Sequence, residues 1–146
     1  MNQKSPAPEI VTFLLAEDDP DDRFLTEEAF GASGIPGVLH FVEDGEQLMD
    51  YLLGRARYSS AGPSRRPSAI LLDLNMPKKS GREALVEIRF NPELKDIPVI
   101  VLTTSDSEED KKYCARYGVA EYVTKPSSFT EMIDLMKRIE SFCCFR

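Results

Sequence analysis

Five short apolar runs, separated by segments that carry helix-start signals, restrict most strongly how this chain can fold. The runs lie at residues 10–16, 38–42, 69–72, 97–102 and 119–124. Runs that are largely apolar, rather than strictly alternating apolar and polar, are typical of parallel strands that are covered on both faces. Parallel strands need long crossover connections, which usually contain helices. This alternation of apolar runs and helix signals therefore predicts a doubly wound α/β domain with five parallel strands and five helices.

Capping residues predict where the helices begin. Asp19 followed by Pro20 is a good N-cap and first-turn pair for a helix that runs to about Ser33. The other helices begin at pairs with capping-box spacing, in which an Asp or Ser precedes a Gln or Glu. These pairs are Asp44 with Gln47, Ser80 with Glu83, Ser105 with Glu108, and Ser128 with Glu131.

The last predicted helix has an apolar face with helical spacing, which we expect to pack against the core. That face is formed by Phe129, Met132, Ile133, Met136, Ile139 and Cys143. The cysteines, Cys114, Cys143 and Cys144, lack the spacing of a disulfide framework or a zinc site. We therefore expect reduced thiols that are partly buried.

Length and composition favour a single globular domain. A chain of 146 residues can bury one core, and we predict a flexible tail at residues 1–9 before one domain at residues 10–146. No apolar stretch approaches the roughly 18 residues of a membrane span, and no signal peptide is evident. We expect a cytoplasmic protein without membrane contact. The net charge of −7 disfavours binding to nucleic acid phosphates and favours a cationic partner or a metal ion.

Polar residues follow the predicted strands where such a sheet places its binding site. Glu17 and Asp18 follow the first run, Asp73 the third, Thr103 the fourth and Lys125 the fifth. In doubly wound folds the site lies beyond the carboxyl ends of the strands, where the strand order reverses. Three carboxylates, a hydroxyl and an ammonium group are therefore expected in one cleft.

A carboxylate cluster of this kind needs a cation, because the charges otherwise repel one another. Mg²⁺ is favoured, since a few protein oxygens leave coordination places for water and a phosphoryl group. Together with a lysine, such a site is equipped to transfer a phosphoryl group to an Asp oxygen. Taken singly, Asp19 is more simply a helix cap, Lys125 a solvated lysine and Tyr122 a core aromatic. Their occurrence at one sheet edge favours the site.

Four motifs in chain order resemble the receiver domain of two-component response regulators. They are LLAEDDP at residues 14–20, LLDLNMP at 71–77 followed by Gly81, VLT at 101–103, and YVTKP at 122–126. The resemblance covers about residues 10–142. It implies a flavodoxin-like fold, a five-stranded parallel sheet in the order 2-1-3-4-5 with five helices.

The resemblance also implies which residues act. Asp73 would accept a phosphoryl group from a phosphohistidine of a sensor histidine kinase. Glu17, Asp18, Asp73 and the backbone carbonyl of Asn75 would surround Mg²⁺. Lys125 would contact the phosphoryl oxygens.

The switch residues implied by the resemblance are Thr103 and Tyr122. Thr103 would also contact the phosphoryl group, and Tyr122 would turn inward when Thr103 is drawn towards it. This change would reshape the face formed by the fourth helix, the fifth strand and the fifth helix. The aspartyl phosphate is expected to be hydrolysed by in-line attack of water, with Asn75 and Ser105 beside the path and tuning its lifetime.

A narrower resemblance is to single-domain regulators paired with phytochrome-type light-sensing kinases. It rests on PKKSGRE at residues 77–83, the Arg-containing loop at 54–68, LTTS at 102–105 and IESF at 139–142. Such regulators often form homodimers through the output face. The apolar residues 142–145 are therefore either a dimer interface or the last turn of a core-facing helix, and both interpretations remain open. An aromatic residue expected near Cys143 is absent.

Other functions fit the residues less well. An aspartyl-nucleophile phosphatase needs a second Asp where this chain has Asn75, and a P-loop needs a glycine-rich first turn. A serine or cysteine hydrolase is disfavoured because the single histidine, His40, lies in a predicted strand. A receiver-like scaffold that docks partners without phosphorylation remains the alternative. No DNA-binding segment follows the fifth helix, so we expect a signalling switch, not an enzyme, whose output passes to a protein partner.

Overall fold

Strands and helices alternate along the chain as the apolar runs predict. The computed structural model describes residues 10–59 and 66–143. Its strands and helices are β1 Val11–Ala16, α1 Pro20–Ser33, β2 Gly37–Val42, α2 Gly45–Leu53, β3 Ala69–Leu72, α3 Gly81–Arg89, β4 Val99–Thr103, α4 Glu108–Arg116, β5 Glu121–Thr124 and α5 Phe129–Cys143. A short 3-10 helix, Ala56–Tyr58, follows α2. The predicted tail at residues 1–9 lies outside the described residues.

The five strands form one parallel sheet in the order β2-β1-β3-β4-β5. The predicted fold class and strand order are therefore confirmed. In the register of β1 and β3, Ala16 lies beside Leu72. The residues that follow them, Glu17 and Asp73, consequently leave the same edge of the sheet from neighbouring strands. This arrangement places the polar strand ends together.

Alternate residues of each strand face two separate hydrophobic cores. Phe13 and Leu71 pack with residues of α1 and α5 on one face of the sheet. Leu14 and Ile70 pack with residues of α2, α3 and α4 on the other face. Because both faces of the sheet are covered, the central strands β3 and β4 are buried at every position, and each buried Leu contributes about 2 kcal/mol to folding.

Two helix starts near the sheet edge follow the predicted caps. The Asp19 Oδ1 atom accepts hydrogen bonds from the backbone N–H groups of Asp21 and Asp22, at 2.8 and 3.3 Å. At α3, the Ser80 hydroxyl accepts from the Glu83 N–H at 3.2 Å, and the Glu83 carboxylate accepts from the Ser80 N–H at 2.9 Å. The capping box of α3 is thus complete, and it fixes the loop that follows Asp73.

The cap of α3 gives a stability prediction. Ser80→Ala removes the hydroxyl acceptor and is expected to lower the free energy of unfolding by about 1 kcal/mol. Ser80→Asp keeps a capping oxygen and should remain close to the unaltered chain. Urea unfolding of the three proteins measures the difference, and equal loss in both variants would contradict a capping role.

Three predicted element starts were wrong, and one of them is that of β4, which begins at Val99 instead of Ile97. Helix α4 begins at Glu108 with Ser107 as its N-cap, whose hydroxyl accepts from the Asp110 N–H at 3.1 Å. The predicted cap, Ser105, instead donates its hydroxyl proton to the Asp110 carboxylate at 2.6 Å. Strand β5 begins at Glu121, because the Val119 N–H is bonded to the Cys114 carbonyl as the helix ends.

The predicted apolar face of α5 is correct in its middle and wrong at its start. Met132, Met136, Ile139 and Cys143 are buried, and Leu135, which the prediction omitted, is buried with them. Phe129 is 42% exposed because it lies in the first turn of the helix. The Asp44 cap is only half of the predicted box: Asp44 accepts from the Gln47 N–H, but the Gln47 side chain accepts from the Glu43 N–H.

Two of the three cysteines can be compared with the prediction. Cys114 is a free, buried thiol and Cys143 is also buried, whereas Cys144 lies outside the described residues. Burial raises the pKa of the Cys114 thiol to about 11, and the nearby Asp110 carboxylate adds to the shift. This thiol is therefore protonated and unreactive at neutral pH. Within the described ranges, no helix has the length and apolar character needed to cross a membrane.

Candidate functional site

Three carboxylates meet where β1 and β3 end. One carboxylate oxygen from each of Glu17, Asp18 and Asp73 lies within 4.8 Å of the others. Asp18 is exposed, whereas Glu17 and Asp73 are only 2% and 7% exposed. The parallel register brings the two buried acids out of neighbouring strands, as expected for a doubly wound sheet. Sequence reasoning named all three residues.

Lys125 places its ammonium group beside this cluster. Its Nζ atom lies 2.9 Å from Glu17 Oε1, 3.5 Å from Asp73 Oδ2 and 2.6 Å from Asp22 Oδ2. Its backbone N–H donates to the Thr103 carbonyl at 2.8 Å, which ties the end of β5 to the end of β4. Burial alone would lower the pKa of Lys125, but hydrogen bonds to Asp22 and Glu17 and the charge of Asp73 outweigh it and raise that pKa. Lys125 is therefore a permanent cation.

The buried Glu17 shows that one ammonium group does not balance the cluster. Burial raises the pKa of Glu17 to about 7, and the charge of Asp73 adds to the rise. Hydrogen bonds from Lys125 and from the Asp19 N–H oppose it. Three carboxylates that face one lysine, two of them withdrawn from water, favour an additional cation with a preference for oxygen ligands.

Thr103 and Tyr122 both contact the loop between β4 and α4. Thr103 is fully buried, and its Oγ1 atom accepts from the Ser105 N–H at 3.3 Å. Tyr122 is half-buried in β5 and donates its hydroxyl proton to the Ser105 carbonyl at 2.8 Å. The two predicted switch residues therefore bind the N–H and the carbonyl of the same residue. A displacement of the backbone at Ser105 would therefore alter a hydrogen bond of Thr103 and a hydrogen bond of Tyr122.

The loop after Asp73 is held by a close backbone approach. The Asn75 N–H donates to Asp73 Oδ1 at 3.2 Å, which orients the carboxylate. The Gly81 N–H donates to the Leu74 carbonyl at 3.0 Å. A Cβ atom at Gly81 would lie 2.1 Å from the Asp73 carbonyl oxygen, so only glycine fits there. Lys78, in the same loop, has a left-handed φ of 62°.

Three charged residues of this region were missed as site residues. The sequence pattern indicates Asp22 only as an acid favoured at a helix start, but Asp22 also binds Lys125, which lies 103 positions along the chain. Arg82 and Asp110 form a two-pronged ion pair, with Arg82 Nε 3.0 Å from Asp110 Oδ1 and Nη2 2.8 Å from Oδ2. A doubled acid after the Asp19 cap was the only sequence signal for Asp22. No local pattern indicated the Arg82–Asp110 pair.

Comparison with known proteins identifies the family. Residues 13–137 match the family described as response regulator receiver domain. Response regulator Rcp1 from Synechocystis sp. is 41% identical over 142 residues, which cover 97% of this chain and 93% of Rcp1.

Two solved structures are also similar. The crystal structure of the phosphorylated cyanobacterial phytochrome response regulator RcpA has a TM-score of 0.82 and 40% identity, covering 92% of this chain and 94% of that chain. The Mn²⁺-bound form of Rcp1 has a TM-score of 0.79 and 42% identity, covering 90% of this chain and 93% of that chain. With the family match over residues 13–137, the strand order and the acidic sheet edge, these likenesses show that the chain belongs to the response regulator receiver domain family.

Proposed function

We propose that Asp73 accepts a phosphoryl group from a phosphohistidine of a sensor histidine kinase, and that the chain acts as a signalling switch and not as a turnover enzyme. One observation carries this proposal. Buried Asp73 lies within one small cluster with Glu17, Asp18 and the ammonium group of Lys125. This combination suits phosphoryl transfer, which depends mainly on positioning and on charge neutralisation.

In the proposed transfer, a carboxylate oxygen of Asp73 attacks phosphorus and the P–N bond to the kinase histidine breaks. The histidine leaves with the electron pair of that bond and takes up a proton, and an aspartyl phosphate forms. Lys125 is close enough to balance charge on a phosphoryl oxygen, since its Nζ atom lies 3.5 Å from Asp73 Oδ2. Thr103, at the end of the neighbouring strand β4, donates a hydrogen bond from its hydroxyl group to another phosphoryl oxygen.

The donor set suits Mg²⁺, because it consists of carboxylate oxygens and backbone carbonyls, which hard divalent cations prefer. Glu17, Asp18, Asp73 and the Asn75 carbonyl would hold the ion. When bound, Mg²⁺ neutralises negative charge on the phosphoryl oxygens and the carboxylates. The raised pKa of buried Glu17, about 7, supports a need for that positive charge. The similar regulator Rcp1 was crystallised in a Mn²⁺-bound form, which also supports a divalent ion here.

The proposed signal starts at Thr103 and reaches the surface through Tyr122. A phosphoryl group adds about −1.5 to −2 charge and three strong hydrogen-bond acceptors. Drawing Thr103 towards them would alter its bond to the Ser105 N–H, and the Ser105 carbonyl is where Tyr122 is anchored. The face of α4, β5 and α5 would then change and bind a downstream protein partner. A shift of a few kcal/mol is sufficient for such a two-state change.

The proposed kinase is of the phytochrome type and the proposed location is the cytoplasm. Support comes from RcpA, which is named as a phytochrome response regulator and is 40% identical to this chain over the aligned residues. A homodimer through residues 142–145 stays a prediction. Phe142 is 38% exposed, but Cys143 is buried in the core and the last three residues lie outside the described part of the chain.

Phosphoryl uptake from a small acyl phosphate in the presence of Mg²⁺ tests the proposal. The intact chain is expected to gain the mass of one phosphoryl group, and chelation of the metal should abolish the gain. Asp73→Asn should show none, because the nucleophilic carboxylate is lost. Intact mass spectrometry measures the product.

A matched control uses a carboxylate outside the cluster. Asp50→Asn alters an acid of α2 that is paired with Arg55, and this variant should be phosphorylated like the unaltered chain. Absence of any mass gain in the unaltered chain would reject the phosphorylated switch and favour a scaffold that binds partners without phosphate. A gain that persists in Asp73→Asn would show that Asp73 is not the acceptor.

A further inference from the structure

Arg82 connects the two loops that border the cleft around Asp73. Its Nη1 atom donates to Asn75 Oδ1 at 3.1 Å and to the Leu74 carbonyl at 3.4 Å, both in the loop after β3. Its Nε and Nη2 atoms donate to the Asp110 carboxylate in α4. One guanidinium group therefore binds acceptors from two different segments, and its planar fork pairs with both oxygens of the Asp110 carboxylate at once.

Asp110 extends this connection to Ser105. The Ser105 hydroxyl donates its only proton to Asp110 Oδ2 at 2.6 Å, and the same hydroxyl oxygen accepts from the Ser107 N–H at 3.3 Å. Hydrogen bonds from Ser105 and Arg82 lower the pKa of Asp110, so this carboxylate is ionised at neutral pH. The Arg82–Asp110 pair is partly buried, with 33% and 15% of the two side chains exposed, so solvent screens it only in part.

These contacts fix which atoms Asn75 and Ser105 can offer to the cleft. A guanidinium group only donates hydrogen bonds, so the Asn75 atom that it holds is the amide oxygen. The amide NH₂ group of Asn75 stays available to other partners, and it can only donate hydrogen bonds. The Ser105 proton is committed to Asp110, and one lone pair of its oxygen is committed to Ser107. The Asn75 side chain then offers no hydrogen-bond acceptor to an attacking water molecule, and the Ser105 oxygen keeps only one lone pair for such a contact.

We propose that Arg82 and Asp110 are positioning residues that hold Asn75 and Ser105 in orientations that slow the hydrolysis of phosphorylated Asp73. This inference rests on the proposed function. In the hydrolysis, a water oxygen attacks phosphorus, the bond between phosphorus and the Asp73 oxygen breaks, and the carboxylate leaves with the electron pair. Inorganic phosphate forms and the water proton passes to phosphate or solvent. An acceptor beside the water would assist that proton transfer, and the Arg82–Asp110 pair keeps such an acceptor away.

Loss of the pair should therefore shorten the phosphoryl lifetime. In Arg82→Gln, the Asn75 amide can rotate and present its oxygen to the cleft, and the Asp110 carboxylate keeps the Ser105 hydroxyl but loses its link to α3. The full chain is phosphorylated with a small acyl phosphate and Mg²⁺, the donor is removed, and the remaining phosphoprotein is followed by mass spectrometry. The half-life in Arg82→Gln and in Asp110→Asn is expected to fall by about threefold or more. Arg82→Lys should lie between Arg82→Gln and the unaltered chain, since lysine keeps the charge but not the fork.

A merely structural effect is distinguished by a second substitution. In an Asn75→Ala background, Arg82→Gln should change the half-life much less than it does alone, because the side chain through which Arg82 acts is gone. Arg138→Gln is the matched control. Arg138 makes an equivalent two-pronged pair with Glu121, at 3.1 and 2.8 Å, that joins α5 to β5. Its loss should leave the half-life unchanged.

The outcomes separate this inference from the function on which it rests. If the unaltered chain takes up no phosphoryl group, both are rejected. If it is phosphorylated but Arg82→Gln and Asp110→Asn decay at its rate or more slowly, the positioning role is rejected and the proposed function stands. An undiminished effect of Arg82→Gln in the Asn75→Ala background, or equal shortening in Arg138→Gln, also rejects the positioning role. Asp110→Asn, which preserves the side-chain shape, decides the question if Arg82→Gln does not fold.

Discussion

Gly81→Ala is expected to lower the rate of phosphoryl uptake at Asp73 by about 100-fold. A Cβ atom at position 81 would lie 2.1 Å from the Asp73 carbonyl oxygen and 2.8 Å from the Leu74 Cα atom. Both neighbours are backbone atoms, so relief requires the chain beside Asp73 to move. A displacement of about 1 Å at a reacting group costs about two orders of magnitude in rate, and the overpacking itself costs about 1–3 kcal/mol of stability. Mass-spectrometric time courses with a small acyl phosphate measure the rate.

Gly31→Ala is the matched control for this substitution. Gly31 lies inside α1, and a Cβ atom added there would meet no atom within 4 Å apart from its chain neighbours and the nearby backbone of its own helix. The variant should phosphorylate at the unaltered rate and be more stable by about 0.5–1 kcal/mol, since alanine loses less conformational entropy in a helix. A Gly81→Ala protein that phosphorylates within about threefold of Gly31→Ala would show that the backbone approach at position 81 does not position Asp73.

Local patterns in the sequence account for most of the fold. Continuous apolar runs predict covered parallel strands, and the Asp19 and Ser80 caps predict helix starts, because each signal lies within a few residues of the structure that it specifies. The errors occur where a tertiary contact competes with a local one. Ser105 has the spacing of an N-cap, but its hydroxyl is bound by Asp110, so α4 begins after Ser107. Phe129 fits the helical period of α5, but it precedes the part of the helix that reaches the sheet.

The candidate site divides in the same way. Glu17, Asp73 and Lys125 could be predicted because the ends of parallel strands share one edge of the sheet. Arg82 and Asp110 could not, because they are 28 positions apart and neither follows a strand. Most helix surfaces carry charged residues, whether or not these contact a functional site. The presence of Arg82 and Asp110 in the sequence therefore does not indicate that they pair beside Asp73. Arg82 and Asp110, the two positioning residues that we propose, are thus residues that the sequence did not predict.

Lys125→Met in metal-free buffer at about pH 8 is expected to lower the free energy of unfolding by about 3–5 kcal/mol. The substitution removes a cation from three carboxylates, of Glu17, Asp22 and Asp73, while methionine retains much of the side-chain volume. Glu17 is only 2% exposed, so without the ammonium group it must either keep a buried charge or take up a proton, and both cost stability at pH 8. Urea unfolding with circular dichroism measures the loss. Lys112→Met, at an exposed position of α4, should change stability by less than about 0.5 kcal/mol.

The stability lost in Lys125→Met should depend on pH, and the burial of Glu17 determines whether it grows or shrinks as pH rises. Burial raises the pKa of Glu17 in the folded chain to about 7, from its ordinary value of 4.5. The folded state therefore holds a proton that the unfolded state has released, and this stabilising contribution is lost as pH rises through about 7. Lys125→Met removes a contact that lowers this pKa, so Glu17 would hold its proton to still higher pH. At about pH 5 Glu17 is protonated in the folded variant, and the stability difference from the unaltered chain should be clearly smaller than at pH 8. An equal difference at both pH values would show that the uncompensated Glu17 charge is not its cause.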